Sequence, residues 1–217
     1  MLPVKNRTVF TYIVTRDYGF APNPFPPYCT LAACKPLIRR HANVGDWIIG
    51  CGSNASSSRF RNSIIYAMQV SEKCSFDEYW NDPRFEYKKP VMNGSKKLKY
   101  GDNIYHRLPG EEEFTQEDSH HSLPGGVRNE LNYKRDLSTD AVLVSERYWY
   151  WGSSAILLPG DLSPLCGVKR NHRKFDYSND SALIDMLEKW LDMQEEMGFI
   201  GKPEKFSAEY QRYEGER

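Results

Sequence analysis

Residues 18–53 read YGFAPNPFPPYCTLAACKPLIRRHANVGDWIIGCGS, and the way this stretch divides decides the fold. Residues 18–28 hold Pro22, Pro24, Pro26 and Pro27 among Tyr18, Phe20, Phe25 and Tyr28. Proline fixes φ and removes a donor, so this segment is neither a helix nor a central strand. Residues before proline are driven to extended backbone. The rings therefore stand on a stiff loop, able to stack on a flat heterocycle or, as aromatics more often do, to cover the core. Residues 30–42 read as a short basic helix capped by Thr30 and kinked at Pro36, with Ala32, Ala33, Leu37 and Ile38 on its apolar face. Lys35, Arg39, Arg40 and His41 form a basic face that could meet phosphate or simply face water. Residues 43–46 are turn chemistry, and 47–51 (WIIGC) a buried strand entering the serine-rich 52–58.

Outward from that stretch, residues 8–14 (TVFTYIV) are β-branched and aromatic and predict a first, central strand. Residues 62–71 predict a third strand paired with 47–51. The link between them carries Arg59 and Arg61, which could wrap a phosphate or belong to an ordinary hairpin loop. Ser75 and Glu78 have capping-box spacing, and the helix they open ends near Asn81, because Pro83 follows. Residues 101–106 turn into a fourth strand, 111–122 form a long polar loop, and 131–139 a polar connector. Strands five and six, at 140–145 and 147–152, turn at Ser145 and Glu146. Alternation puts Tyr148 and Tyr150 on one face and Trp149 and Trp151 on the other. A basic cluster at 169–174 could touch phosphate or face solvent. A helix at about 179–198 follows, with Ala182, Leu183, Met186, Leu187, Trp190, Leu191 and Met197 as its buried stripe, and a short helix is expected around 207–213.

The 217 residues suffice for one domain with a substantial core, taken as 1–217 with its barrel at about 8–160. Lys plus Arg and Asp plus Glu are both 29, so the net charge is zero and any nucleic-acid binding must be local. Five cysteines without a C-x-x-C pair argue against a structural zinc site and a disulfide framework, so a reducing cytoplasm is expected. No signal-peptide core and no apolar run of about 20 residues is found, so no membrane is implied.

Polar residues able to do chemistry are Asp102, His120 and His121. A histidine beside Asp118 could act as a base near neutral pH. Adjacent histidines on a strand would face opposite ways, so only one would enter a given pocket. No ligand spacing supports a metal, and no cofactor is indicated. The candidate ligand-binding residues are Tyr18, Phe20, Asn23, Lys35, Arg39, Trp47, Ser53 and Asn103.

The run DYGFAPNPF, followed by YCTLAACKPLIR and VGDW, with DPRF at 82–85 and GDNIY at 101–105, resembles the nucleotide modification associated domain 2 family. The likeness runs from about residue 10 to about 159. It implies a place beside enzymes that modify bases in phage and bacterial DNA, and it names a context, not a reaction. A helix, V-G-D and an apolar strand are also similar to the opening of small barrels of the PUA and EVE type. The fold class expected is therefore α+β: a small mixed or antiparallel β-barrel with flanking helices and a C-terminal helix packed on it. Of three functions the sequence favours the first, a binding module, with an enzyme and an adaptor as alternatives. A binding module would hold a modified base of DNA or a free nucleotide. An enzyme, a transferase or hydrolase, would act on that base. An adaptor would dock a DNA-modification enzyme.

Overall fold

The structure, a computed structural model, describes residues 7–53, 55–56, 58–167 and 171–215. Its strands are β1 Thr8–Ile13, β2 Cys29–Leu31, β3 Trp47–Cys51, β4 Ser63–Gln69, β5 Glu72–Cys74, β6 Tyr105–Arg107, β7 Phe114–Gln116, β8 Val142–Ser145, β9 Arg147–Tyr150, β10 Ile156–Leu157, β11 His172–Asp176 and β12 Gly198–Phe199. Its α-helices are α1 Pro36–His41, α2 Phe76–Asn81, α3 Lys96–Lys99, α4 Glu130–Asp136 and α5 Tyr177–Asp192. The described residues gather into two compact units. One draws on Met1–Asp17, Ala42–Ser71 and Ser145–Glu204; the other on Tyr18–His41, Glu72–Val144 and Lys205–Arg217. The chain enters each unit more than once.

The first unit is a mixed sheet in the order β11-β1-β3-β4-β9-β12, with β10 on β4. β1 and β3 run parallel, as do β9 and β12, and the other pairs are antiparallel. β1 lies inside the sheet, as its β-branched and aromatic residues predict, and β3 pairs with β4 as expected. The outermost strands of this order are β11 and β12, and among the described residues no closed barrel is found; the mixed α+β class holds. Every residue of β3 is buried. Gly50 lies under the Tyr66 ring, where an added Cβ would come within 2.2 Å of a ring carbon.

α5 covers one face of this sheet with Ile184, Leu187 and Leu191 against Trp47, Trp149 and Trp151. The expected alternation holds: the tryptophans lie under α5, while Tyr150 donates to Asp17. The helix is shorter than predicted. Of the expected stripe Leu187 and Leu191 are buried, Ala182, Met186 and Met197 are exposed, and residue 198 lies in β12. Strands five and six form no hairpin, since β8 pairs with β5 and β9 with β4. Of the basic cluster, Lys169 and Arg170 lie outside the described residues; Arg173 and Lys174 are in β11. Asn54 and Ser57 of the serine-rich link also lie outside them.

The second unit holds the proline loop, the sheet β2-β8-β5 and the hairpin β6-β7. Its core includes Phe20, Phe76, Tyr79, Phe85, Tyr100 and Tyr105. The capping box forms as predicted, and α2 ends at Asn81. α1 is shorter than the basic helix read from the sequence. Pro36 is its first residue, where a missing N–H costs nothing, instead of a kink within it. Thr30 is no cap: it sits in β2 and donates to Asp102. Residues 131–139 are not only a connector, because Asn129 caps α4 by accepting from Leu131 N and Asn132 N. Residues 207–213 form no helix. Among the described residues no helix is long and apolar enough to cross a membrane.

Candidate active site

Three elements of the second unit converge on one thiol. Cys34 follows β2 in a tight turn, and its φ of 58° is left-handed, a costly backbone for a residue with a Cβ. Lys35 shares the condition, with φ 41°. His121 sits in the turn after β7, and Asp136 is the last residue of α4. Cys34 Sγ lies 3.6 Å from His121 Nε2, and His121 Nδ1 lies 2.6 Å from Asp136 Oδ2. His121 and Asp136 are 1% and 0% exposed, whereas Cys34 is partly exposed.

The carboxylate of Asp136 is saturated. Its Oδ1 accepts from Cys34 N at 2.9 Å and Arg135 Nε at 3.1 Å; its Oδ2 accepts from His121 and from Tyr105 OH at 3.1 Å. An ionised carboxylate is acceptor only, so His121 Nδ1 carries a proton and Nε2 is the nitrogen turned to the sulfur. Arg39 welds the arrangement together. Fully buried, it donates to the carbonyls of Cys34, Asp136, Thr139 and Ala141.

The electrostatics follow. Burial pushes the Cys34 thiol up, but the His121 charge and hydrogen bond more than offset this and leave it below the ordinary thiol value. Burial works against a charged His121, yet Asp136 and then Cys34 raise it to about 9. Burial would raise Asp136, but His121, Arg135 and Arg39 hold it below the usual carboxylate range. The pairing thus lowers the thiol and raises the imidazole, each favouring the charged form of the other.

Cys34, His121 and Asp136 also offer donor atoms within 4.8 Å of one another, a spacing a metal ion could span. The hydrogen bonds present use the same atoms differently. Both Asp136 oxygens are engaged, one of them by the far nitrogen of His121, so an ion would meet only a sulfur and one imidazole nitrogen. Catalytic zinc sites use three protein ligands. The set fits a nucleophile, a base and an orienting acid.

Of the residues expected to be chemical, His121 is in this set. His120 turns to the same side, with the two rings stacked 5.5 Å apart, because both occupy a turn, not a strand. Its Nδ1 lies 2.6 Å from the carbonyl of Gln211. Asp118 is not the histidine's partner; it pairs with Arg212. Asp102 is fully buried and accepts from Thr30 and Tyr79, a core role. Tyr18 and Phe20 do meet the histidines: Phe20 lies 4.5 Å from the His121 ring and Tyr18 5.0 Å from the His120 ring. Trp47, 0% exposed in the first unit, donates to Glu188 and has no ring face open to a ligand. Asn23 accepts from Lys88 and donates to Tyr100 O. Asn103 donates to Tyr79 O and Phe85 O. Ser53 accepts from Ala55 N. Lys35 adjoins the thiol in sequence, and Arg39 binds carbonyls instead of phosphate.

Sequence reading missed Cys34 and Asp136. In the sequence the five cysteines bear only on metal and disulfide chemistry, and positions 34, 121 and 136 have no spacing that links them. The available signals were a cysteine just before a Lys-Pro helix start and the Asn129 cap that makes 130–136 a helix.

A left-handed Cys34 in line with an imidazole and a carboxylate has the arrangement of a cysteine nucleophile with its base and orienting acid. The family model for nucleotide modification associated domain 2 matches residues 6–210, and the chain belongs to that family. Its name associates the chain with nucleotide modification. No curated protein and no solved structure matches the chain.

Proposed function

We propose that the chain is a cysteine-dependent enzyme of nucleotide modification, in which Cys34 attacks a carbonyl carbon of a nucleotide or modified base. The observation that carries this is the line of contacts from Cys34 Sγ to His121 Nε2 and from His121 Nδ1 to Asp136 Oδ2. The thiolate adds to the carbonyl and forms a C–S bond. As the C–N or C–O bond to the leaving group breaks, His121 gives that group its proton. Water or an amine then attacks the thioester and returns a proton to His121, and the C–S bond breaks to restore the thiolate. Asp136 keeps the imidazole in the required tautomer. Hydrolysis and group transfer differ only in the second nucleophile. The phage or bacterial DNA setting implied by the motifs supplies the substrate class, a modified base in DNA or a free nucleotide.

A base-binding module is the second reading, and the packing of Phe20 and Tyr18 on the two histidines is what favours it. Incubation with modified and plain nucleotides and oligonucleotides, read by mass spectrometry, separates the two. The enzyme changes the substrate mass, and Cys34→Ser lowers that rate by about a thousandfold or more. A mass change that survives Cys34→Ser removes the thiol from the chemistry. Binding without any mass change supports the module.

A further inference from the structure

His121 is held by a turn that is bonded within itself and also braced from outside. Residues 118–122 close on Ser122 Oγ, which accepts from Ser119 N at 3.0 Å and sits 3.2 Å from Asp118 Oδ1. The hollow of this turn is filled from residues 210–214. One nitrogen of Arg212, Nη1, meets Ser119 O at 2.6 Å, Ser122 Oγ at 2.7 Å and Asp118 Oδ1 at 2.6 Å. Tyr213 N donates to His120 O at 2.7 Å. The Asn132 amide reaches both His121 O, at 3.0 Å, and Tyr213 O, at 2.5 Å. Asn129 donates to Glu214 O, and Gln211 accepts from Tyr18 OH. Every residue from Gln211 to Glu214 thus bonds the walls of the site, which is more than an exposed charged segment needs.

We propose that residues 210–214 are a clamp that sets the position of His121, with Arg212 as its positioning residue. The inference rests on the Cys34–His121–Asp136 reading of the site. An imidazole displaced by a fraction of an ångström loses its alignment with the sulfur, and hydrogen bonds weaken steeply off their axis. The thiolate then loses its nearest positive partner. The charged and titratable groups facing the pair are Lys35 beside the thiol, Arg39 of α1, Tyr105 of β6, Arg135 and Asp136 of α4, His120 of the same turn, and Tyr213 of the clamp. Of these, only Tyr213 belongs to 210–214. Arg212 Nη1 bonds Ser119, Ser122 and Asp118 and neither Cys34 nor His121, so it acts on the thiol through the placing of His121.

The rate of Cys34 alkylation by iodoacetamide, followed by peptide mass spectrometry across pH, tests this on the full chain. In the unaltered protein the midpoint falls below the ordinary thiol value of about 8.5, and His121→Gln raises it. Arg212→Ala raises it by about one pH unit, with alkylation at pH 7 falling roughly tenfold. Arg212→Lys keeps the original midpoint, because a single ammonium can meet the same three acceptors. Asp118→Asn, at the half-exposed end of the clamp, gives a smaller shift in the same direction and carries the test should Arg212→Ala fail to fold. A folded Arg212→Ala protein with an unchanged midpoint overturns the clamp while leaving the triad standing. An ordinary midpoint that His121→Gln does not move overturns the triad itself.

Discussion

At Gly50 a single hydrogen atom decides whether β3 and β4 can lie together. The Tyr66 ring crosses this position, and the Tyr66 hydroxyl donates to Tyr12 at 2.8 Å, so the ring cannot swing aside freely. Gly50→Ala is expected to destabilise the protein by about 1–3 kcal/mol, the usual cost of forcing a carbon into a packed interior; urea unfolding measures it. A smaller loss would mean that the ring yields. Cys34 is the opposite case. It bears a side chain where glycine would be relaxed, and the left-handed turn holds that side chain beside His121. Such positions are poorly legible in a sequence. The Gly in WIIGC reads as a weak point in a strand, and the Cys in ACKP as one of five thiols, until the residues that pack on them are known.

Among the elements, the proline loop shows how a segment without regular structure is fixed. Lys88 is 1% exposed, and its ammonium meets Asn23 O, Asn23 Oδ1, Phe25 O and Tyr28 O at 2.6–3.0 Å. Burial pushes it down to about 8, against the pull of Asp102. One charged group thus gathers four oxygens of the loop, two of which have a second donor, Thr30 N on Asn23 O and Tyr87 OH on Phe25 O. Lys88→Met removes the donor these oxygens share and is expected to cost about 3–5 kcal/mol, the range for breaking a buried charged partnership. Thermal unfolding checks this, and Lys88→Arg does not rescue it, because a planar fork does not fit a compact nest of four oxygens. The stiffness of 18–28 was plain from its prolines, and the capping box at Ser75 from its spacing. Lys88 was not, since five lysines between 88 and 99 look alike in sequence and only packing separates the buried one from its solvated neighbours.

For the whole molecule, pH links the site to folding. His121 stands near 6.5 when unfolded and about 9 when folded. Its contribution to stability is therefore complete below about 6.5 and is lost as pH rises through about 9. Cys34 acts with the opposite sign: its folded value is lowered, so its contribution exists above the ordinary thiol range and is lost as pH falls through the folded value. The stability difference between the unaltered protein and His121→Gln, read from urea midpoints, should narrow between about pH 7 and pH 9.5 as the histidine's share is lost; a constant difference would remove this histidine from the linkage. The mixed α+β class could be read from strand and helix patterns, but the strand order could not, because β9 and β12 are parallel partners separated by a long stretch of chain. The parts of the site are spread along the chain, and residues 34, 121 and 136 are synthesised well before 210–214. If the clamp acts as proposed, a chain stalled before Arg212 carries a sulfur that reacts with electrophiles roughly tenfold more slowly at pH 7 than that of the full chain.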